Sequence, residues 1–570
     1  MNKRFFIALV LTAIVIVATP WLFPGTMRRT DAPVVRDSTI QAGSVSTVRD
    51  SNVSVQLQLP SAVSTVGTAV QPVKGGVGNA ATDTTAFLTP RSVYSFISRG
   101  AVPSSIVLSD YLSRRPGAEA QRVELVGSRS VLAHYRLVVG RDTVALDSIL
   151  LHMDRRVAAT AQLVTYTGEA AGHGVRVQYT MPADSAESYL IHVVTNVANA
   201  PAGSALLIEL PRTLPANGPD TADDLNHLAV SYRPTRGEVN SIAFAKLDSS
   251  EVIAEPGPIN WVAVRNKYFL VAFKVAQTPF AWVRLQGAPR QGKIAAHAGV
   301  IAALPLATDG SATFDIYAGP QDFQRLQRLG GDLDQVNPYA GWLHPVVQPF
   351  ATMVMKALLW MKHTTHLNYG WVLVLFGIII RLILWPLNQS AMRTSMKMQR
   401  LQPELQALQK RHSDDPKKQQ EAIMKVYKDH GMSPLSPLMG CLPMLLPMPV
   451  LFALYYVFQN TIEFRGVPFL WLPDISLHDP LYITPLLMGV SMFVMSWIGM
   501  RNAPPNPQTK MMSYMMPVMF TVLFLNFASG LNLYYAVQNI AALPQQWLLA
   551  RERAKPVVGT ISGALEKRRT

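Results

Sequence analysis

Cysteine is nearly absent from these 570 residues: Cys441 stands alone, which excludes a disulfide framework and a cysteine metal cluster. Acidic residues are missing from the long apolar runs. The spans read after residue 368, at 368–388, 441–461, 481–500, 511–528 and 530–549, contain no Asp or Glu. Ion-coupled transporters often use intramembrane carboxylates and diaspartyl proteases require them, so neither chemistry is indicated. The zinc-protease spacing HExxH does not occur, and no serine sits in a nucleophile motif with a partner base. His363 and His366 have ligand spacing but no third ligand nearby, which favours interfacial polar residues. Gly287–Lys293, GAPRQGK, has phosphate-loop spacing, yet Ile294 stands where the magnesium-binding Ser or Thr belongs. No catalytic residue, cofactor or metal is expected, and the chain is not expected to be an enzyme.

What is present reads as a membrane protein of several parts. Lys3 and Arg4 precede an apolar run from Phe5 to Phe23. With no clear small-x-small cleavage site, residues 1–25 are read as an uncleaved signal anchor in preference to a signal peptide. Residues 26–86, rich in Ser, Thr, Val and Gly, form a flexible translocated linker. From 87 to 330, segments such as VRVQYTM from Val175 and YLIHVVTNV from Tyr189 alternate apolar and polar residues between Gly, Pro and Asn/Asp breaks. That period-2 pattern predicts a periplasmic β-sandwich. Residues 339–366 follow as an amphipathic helix lying in the membrane interface, with Phe350, Met353, Val354, Ala357, Leu358 and Met361 on its apolar face.

Residues 389–436 carry Arg393, Lys397, Arg400, Lys410, Arg411, Lys417 and Lys418. They read as a basic helical hairpin whose second helix is capped by Asp415, opened by Pro416 and closed by Gly431. Positive loops stay in the cytoplasm, which puts both termini, including the basic tail 550–570, on that side. The net charge of +15 thus reads as topology and contact with anionic lipid, and RNA contact would be indirect, through a ribosome. The expected fold is a polytopic α-helical membrane protein with an inserted β-sandwich.

Arg381 lies inside the span 368–388. Placing an arginine at the centre of a spanning helix costs roughly 2.5–3.5 kcal/mol. Two readings are open: an anchor that snorkels to the interface, or a functional charge. The other spans carry uncharged polarity. Asn532, Tyr535 and Asn539 recur on one side of the last helix with Gln538 beside them, while Tyr455, Tyr456, Gln459 and Asn460 cluster late in 441–461. Such residues either hydrogen-bond helices together or line a partly wet cavity around the arginine. Of the 24 methionines, all but Met1, Met27, Met153 and Met181 follow residue 350, which suits a surface that accepts varied apolar segments.

This order of parts, with CLPMLLPMPVLFALYY from Cys441 and SGLNLYYAVQN from Ser529, resembles the YidC family of bacterial inner-membrane insertases. In the β-domain the resemblance rests on SVYSFISRGA from Ser92, WVAVRNKYF from Trp261 and YAGP from Tyr317. It implies a signal anchor and a five-helix core around a hydrophilic groove. It also implies insertion and folding of nascent membrane proteins, alone or with the Sec translocon and its accessory subunits. Arg381 corresponds to the groove arginine and Tyr535 to a substrate-contacting tyrosine, with Asn532, Gln538, Asn539, Tyr455, Tyr456 and Gln459 around them. The basic hairpin would meet substrate and ribosome, lipids are further partners, and no small-molecule substrate is implied. Pro447 and Gly377 stand where the family has more polar residues, and Asn532 where an apolar one is common. A rival reading of the spans alone is a transporter binding an anionic solute at Arg381.

Overall fold

The computed structural model describes residues 84–118, 121–126, 130–158, 161–183, 189–289, 295–337, 344–390, single positions between 393 and 411, 415–429, 448–501 and 507–554. The expected signal anchor, the linker up to residue 83, Gly431 and the tail from residue 555 lie outside the described residues. The chain divides into two compact units, Met1–Gly319 and Pro320–Thr570.

The first unit is built of antiparallel strands. Thr84–Leu88, Ser92–Ile97, Val102–Leu112 and Arg122–Val126 form a four-stranded sheet, and a second sheet has 14 strands. Alternation decides which side chains enter the core: Tyr94 and Phe96 of one strand, and Val175, Val177, Tyr179 and Met181 of another, are buried while their neighbours are not. The sheets meet face to face through Phe96, whose ring centroid lies 5.0 Å from that of Tyr179, and the Tyr179 hydroxyl donates to the Ala101 carbonyl. In the middle of the large sheet, Phe269–Phe273 is buried at every position, as expected of a strand covered on both faces. Each aromatic residue buried in this way contributes about 1.5–3 kcal/mol. The sandwich predicted from alternation is therefore present. Among the described residues its first strand starts at Thr84, and helix α1 (Thr221–Asn226), capped by Asp220, interrupts the strands.

The second unit is helical. Helix α2 (Phe323–Leu329) belongs to this unit, although the sequence reading kept it with the sandwich to residue 330. Helix α3 (His344–Thr365) and helix α4 (Tyr369–Ile383) are bent by 117° at the break between them. The buried stripe of α3 is Val347, Ala351, Val354, Met355, Leu358 and Met361. Phe350 and Met353, expected on that same face, are exposed together with Trp360. The helix thus has an apolar side turned outward as well as one in the core.

In the basic segment, helix α5 (Pro416–Asp429) is capped by Asp415, whose Oδ1 accepts from the Lys418 N–H at 3.2 Å. Leu401 and Leu405 pack against Val426 and Tyr427. Helices α6 (Met448–Asn460), α7 (Ile483–Met500), α8 (Pro507–Phe524) and α9 (Ser529–Ala554) follow. Helix α9 packs on α4, α6 and α7, and α3 on α6. The shared core contains Leu358, Phe376, Leu454, Phe458, Phe524 and Tyr534.

Among the described residues only α7 is by itself long and apolar enough to cross a membrane, and α3 with α4 meets the same measure as a bent pair. The five spans read after residue 368 correspond to α4, α6, α7, α8 and α9, with shifted ends. Helix α4 stops at Ile383 rather than near residue 388, α8 stops at Phe524, and α9 runs on to Ala554. Leu486, Val490, Phe493 and Trp497 form an exposed apolar stripe on α7. Hydrocarbon satisfies such a stripe and water does not.

Candidate functional site

Arg381 lies in the last turn of α4, where unpaired carbonyls favour a cation. The helix ends there for a local reason. Pro386 has no N–H to offer the Leu382 carbonyl. The chain turns at Leu384, and residues 385–390 are helical again, with Pro386 in the first turn.

The guanidinium is held from α9. Arg381 Nη2 donates to Gln545 Oε1 at 2.7 Å, and Gln545 Nε2 donates to the Trp385 carbonyl at 3.0 Å. Gln545 is 1% exposed, so one buried amide serves both the arginine and the broken backbone. Arg381 Nε is also buried and has no protein partner among the described residues. An unmet donor of this kind costs about 1–3 kcal/mol until water or a visiting acceptor reaches it.

Further along the same seam, Gln538 Nε2 donates to the Gly377 carbonyl at 3.2 Å and to the Tyr534 hydroxyl at 2.9 Å. Gly377 permits this approach, since a Cβ there would lie 3.1 Å from Val537 Cγ1.

The other polar residues of α9 look elsewhere. Asn539 Nδ2 donates to Ser491 Oγ on α7 at 3.2 Å, and Asn532 Nδ2 to the Phe524 carbonyl at the end of α8 at 3.0 Å. At 100° per residue, Asn532 and Asn539 share one face, while Gln538 and Gln545 share another roughly 120° away. The sequence reading gathered Asn532, Gln538 and Asn539 around the arginine. Of these, Gln538 bonds to α4, and the two asparagines tie α9 to α7 and α8, the role that uncharged polar groups commonly take between membrane helices.

Tyr535 stands between the two faces. Its ring lies 5.8 Å from Phe524, Phe524 is 4.7 Å from Phe527, and Phe527 is 5.3 Å from Tyr455, which packs on Tyr456 at 5.2 Å. An aromatic chain thus joins Tyr535 to Tyr455 and Tyr456. The side chain of Gln459 lies outside the described residues.

In the hairpin region, Arg393 pairs with Glu552 of α9 at 3.0 Å and Lys418 with Asp415 at 3.4 Å. Both pairs are half-exposed, so each contributes about 0–1 kcal/mol. Arg411 is exposed. Lys397, Arg400, Lys410 and the side chain of Lys417 lie outside the described residues. The sequence reading missed Gln545 and Tyr534. The signal for Gln545 was its heptad spacing from Gln538, on the face that meets α4.

The family described as YidC periplasmic domain matches residues 85–353, and that described as 60Kd inner membrane protein matches residues 360–556. A relative from Chlorobaculum tepidum, named membrane protein insertase YidC, is 30% identical over 484 residues, covering 79% of this chain and 78% of its own. A relative of the same name from Chlorobium phaeovibrioides is 29% identical over 570 residues, covering 94% of each chain. A solved structure described as active YidC insertase with the first transmembrane domain resolved is matched over 81% of this chain and 92% of its own. Its identity is 19% and its TM-score 0.33, too loose a superposition to add to the sequence relationship. None of these matches points to a solute transporter.

Proposed function

Because this chain belongs to the YidC family of membrane protein insertases, we propose that it inserts nascent membrane proteins by receiving their hydrophilic flanks at Arg381, without covalent chemistry. The observation that carries the reading is the half-used guanidinium. One N–H is committed to Gln545 while Nε is buried without a partner among the described residues. A carboxylate or carbonyl of a passing chain satisfies such a donor better than any neighbour within the seam, since hydrogen bonds to charged groups contribute about 1.5–3 kcal/mol.

In this reading the flank is drawn to the arginine while the apolar part of the substrate partitions into lipid beside α6 and the methionine-rich α8. The membrane potential, ~2.3 kcal/mol per charge per 100 mV, pulls acidic flanks outward. Tyr535, Tyr455 and Tyr456 offer flat apolar faces with polar tips to the same segment. The basic hairpin, with Arg393, Arg411 and Lys418, receives the chain on the cytoplasmic side and meets the ribosome. The Sec translocon is a further partner in this reading. The protein sits in the inner membrane with its β-domain in the periplasm and both termini in the cytoplasm.

The test is a photo-crosslinking amino acid at Tyr535, with Ile540 on the outer surface of α9 as control, in a cysteine-free variant presented with a ribosome-stalled single-span substrate. Adducts at position 535 and few at position 540 are expected. Equal labelling at both positions would remove the basis for a defined path.

A further inference from the structure

In the helical unit, a small cavity of about 20 Å³ is lined by residues that include Phe323 of α2, Asp334 and Asn337 beyond it, Met355 of α3, and Thr461 and Glu463 beyond α6. A space of that size holds about one water, which needs two to four polar partners. Three cavity groups are buried and lack a hydrogen bond among the described residues: Glu463 Oε2, Asn337 Nδ2 and Thr461 Oγ1. Thr461 is 2% exposed. The other Glu463 oxygen accepts from the Phe323 N–H at 3.4 Å, at the N-terminus of α2.

We propose that this cavity holds one ordered water bridging Glu463, Asn337 and Thr461, and that a neutral Glu463 thereby latches the 321–337 segment to the outer end of α6. Ionisation would release the latch. The surroundings oppose a carboxylate: burial first, then the charge of Asp322, push Glu463 up to about 8. Asp334 is raised by burial as well, with Lys356 of α3 pulling it back. Tyr369 of α4 faces Glu463 and adds no positive charge. Among these neighbours only Lys356 is cationic, and it acts on Asp334.

The sign follows from linkage. The closed form holds its proton up to about 8, whereas the opened form releases it near the ordinary value of about 4.3. Between those limits the opened form binds fewer protons, so latch stability is full at the acidic end and falls as pH rises. One proton gives at most about tenfold in the opening equilibrium per pH unit.

The experiment is hydrogen exchange of the full chain in nanodiscs, corrected for intrinsic rates, at about pH 5 and about pH 8. Residues 321–337 should lose protection at the higher pH, and Glu463→Gln, which stays neutral, should hold the same protection at both. Infrared difference spectroscopy on the unmodified protein provides an independent reading, through a protonated carboxyl band at neutral pH that Glu463→Gln lacks. Protection independent of pH in the native chain, or a pH dependence retained in Glu463→Gln, would overturn the proposal. So would absence of that band.

Discussion

At the scale of single residues, Arg381 and Gln545 are a pair with opposite visibility. A charge inside an apolar run is conspicuous, and its cost makes it a candidate at once. One amide among the polar residues of a long helix is not. Its meaning depends on which face meets α4, and only packing decides that. The pair also separates stability from function. Gln545→Leu leaves Arg381 Nη2 and the Trp385 carbonyl without their partner, at a cost of about 1–3 kcal/mol, read as a lower midpoint of thermal unfolding in detergent. Gln545→Glu instead forms an ion pair with the arginine while giving up the N–H that meets the Trp385 carbonyl. It should insert acidic-tailed substrates about tenfold less, the equivalent of ~1.4 kcal/mol of competition for the guanidinium. If it inserts normally, the arginine is not the receptor.

At the scale of elements, the helices were legible as apolar runs, but their ends were not. The sequence places a span at 368–388, whereas α4 stops at Ile383 because a missing N–H at Pro386 undoes the last turn. That break puts Arg381 at a helix terminus and brings the anchor and functional readings together. The apolar pattern of α3 was visible too, but periodicity alone does not say which of two apolar sides is buried, and Phe350 and Met353 fell on the outward one. Close helix contacts are likewise invisible until the partner is known. Gly489 of α7 meets α8 so closely that a Cβ would run into Thr521 Oγ1, whose hydroxyl donates to the Pro517 carbonyl at 2.7 Å. Gly489→Ala should destabilise by about 1–3 kcal/mol through overpacking. Thr521→Ala in the same chain should recover part of that loss in a double-mutant cycle of unfolding midpoints.

At the scale of the molecule, alternation in segments such as Val175–Met181 was enough to announce a β-sandwich. The continuous burial of Phe269–Phe273 reflects a sheet too wide to read from any one strand. The order of parts and the motifs of the helical half pointed to the family, which the relatives then established. The latch at Glu463 had no sequence signal, because one glutamate in a loop is ordinary until the segment around Asn337 closes over it. The central claim is that Arg381 receives the passing polypeptide. Its most direct test is insertion of a small single-span protein with an acidic outer tail into liposomes holding the purified chain. Removing a charge-assisted contact should cost about 1.5–3 kcal/mol, or roughly 10–100-fold in rate, so Arg381→Ala should insert poorly while Arg381→Lys keeps part of the activity. Undiminished insertion by Arg381→Ala would contradict the account.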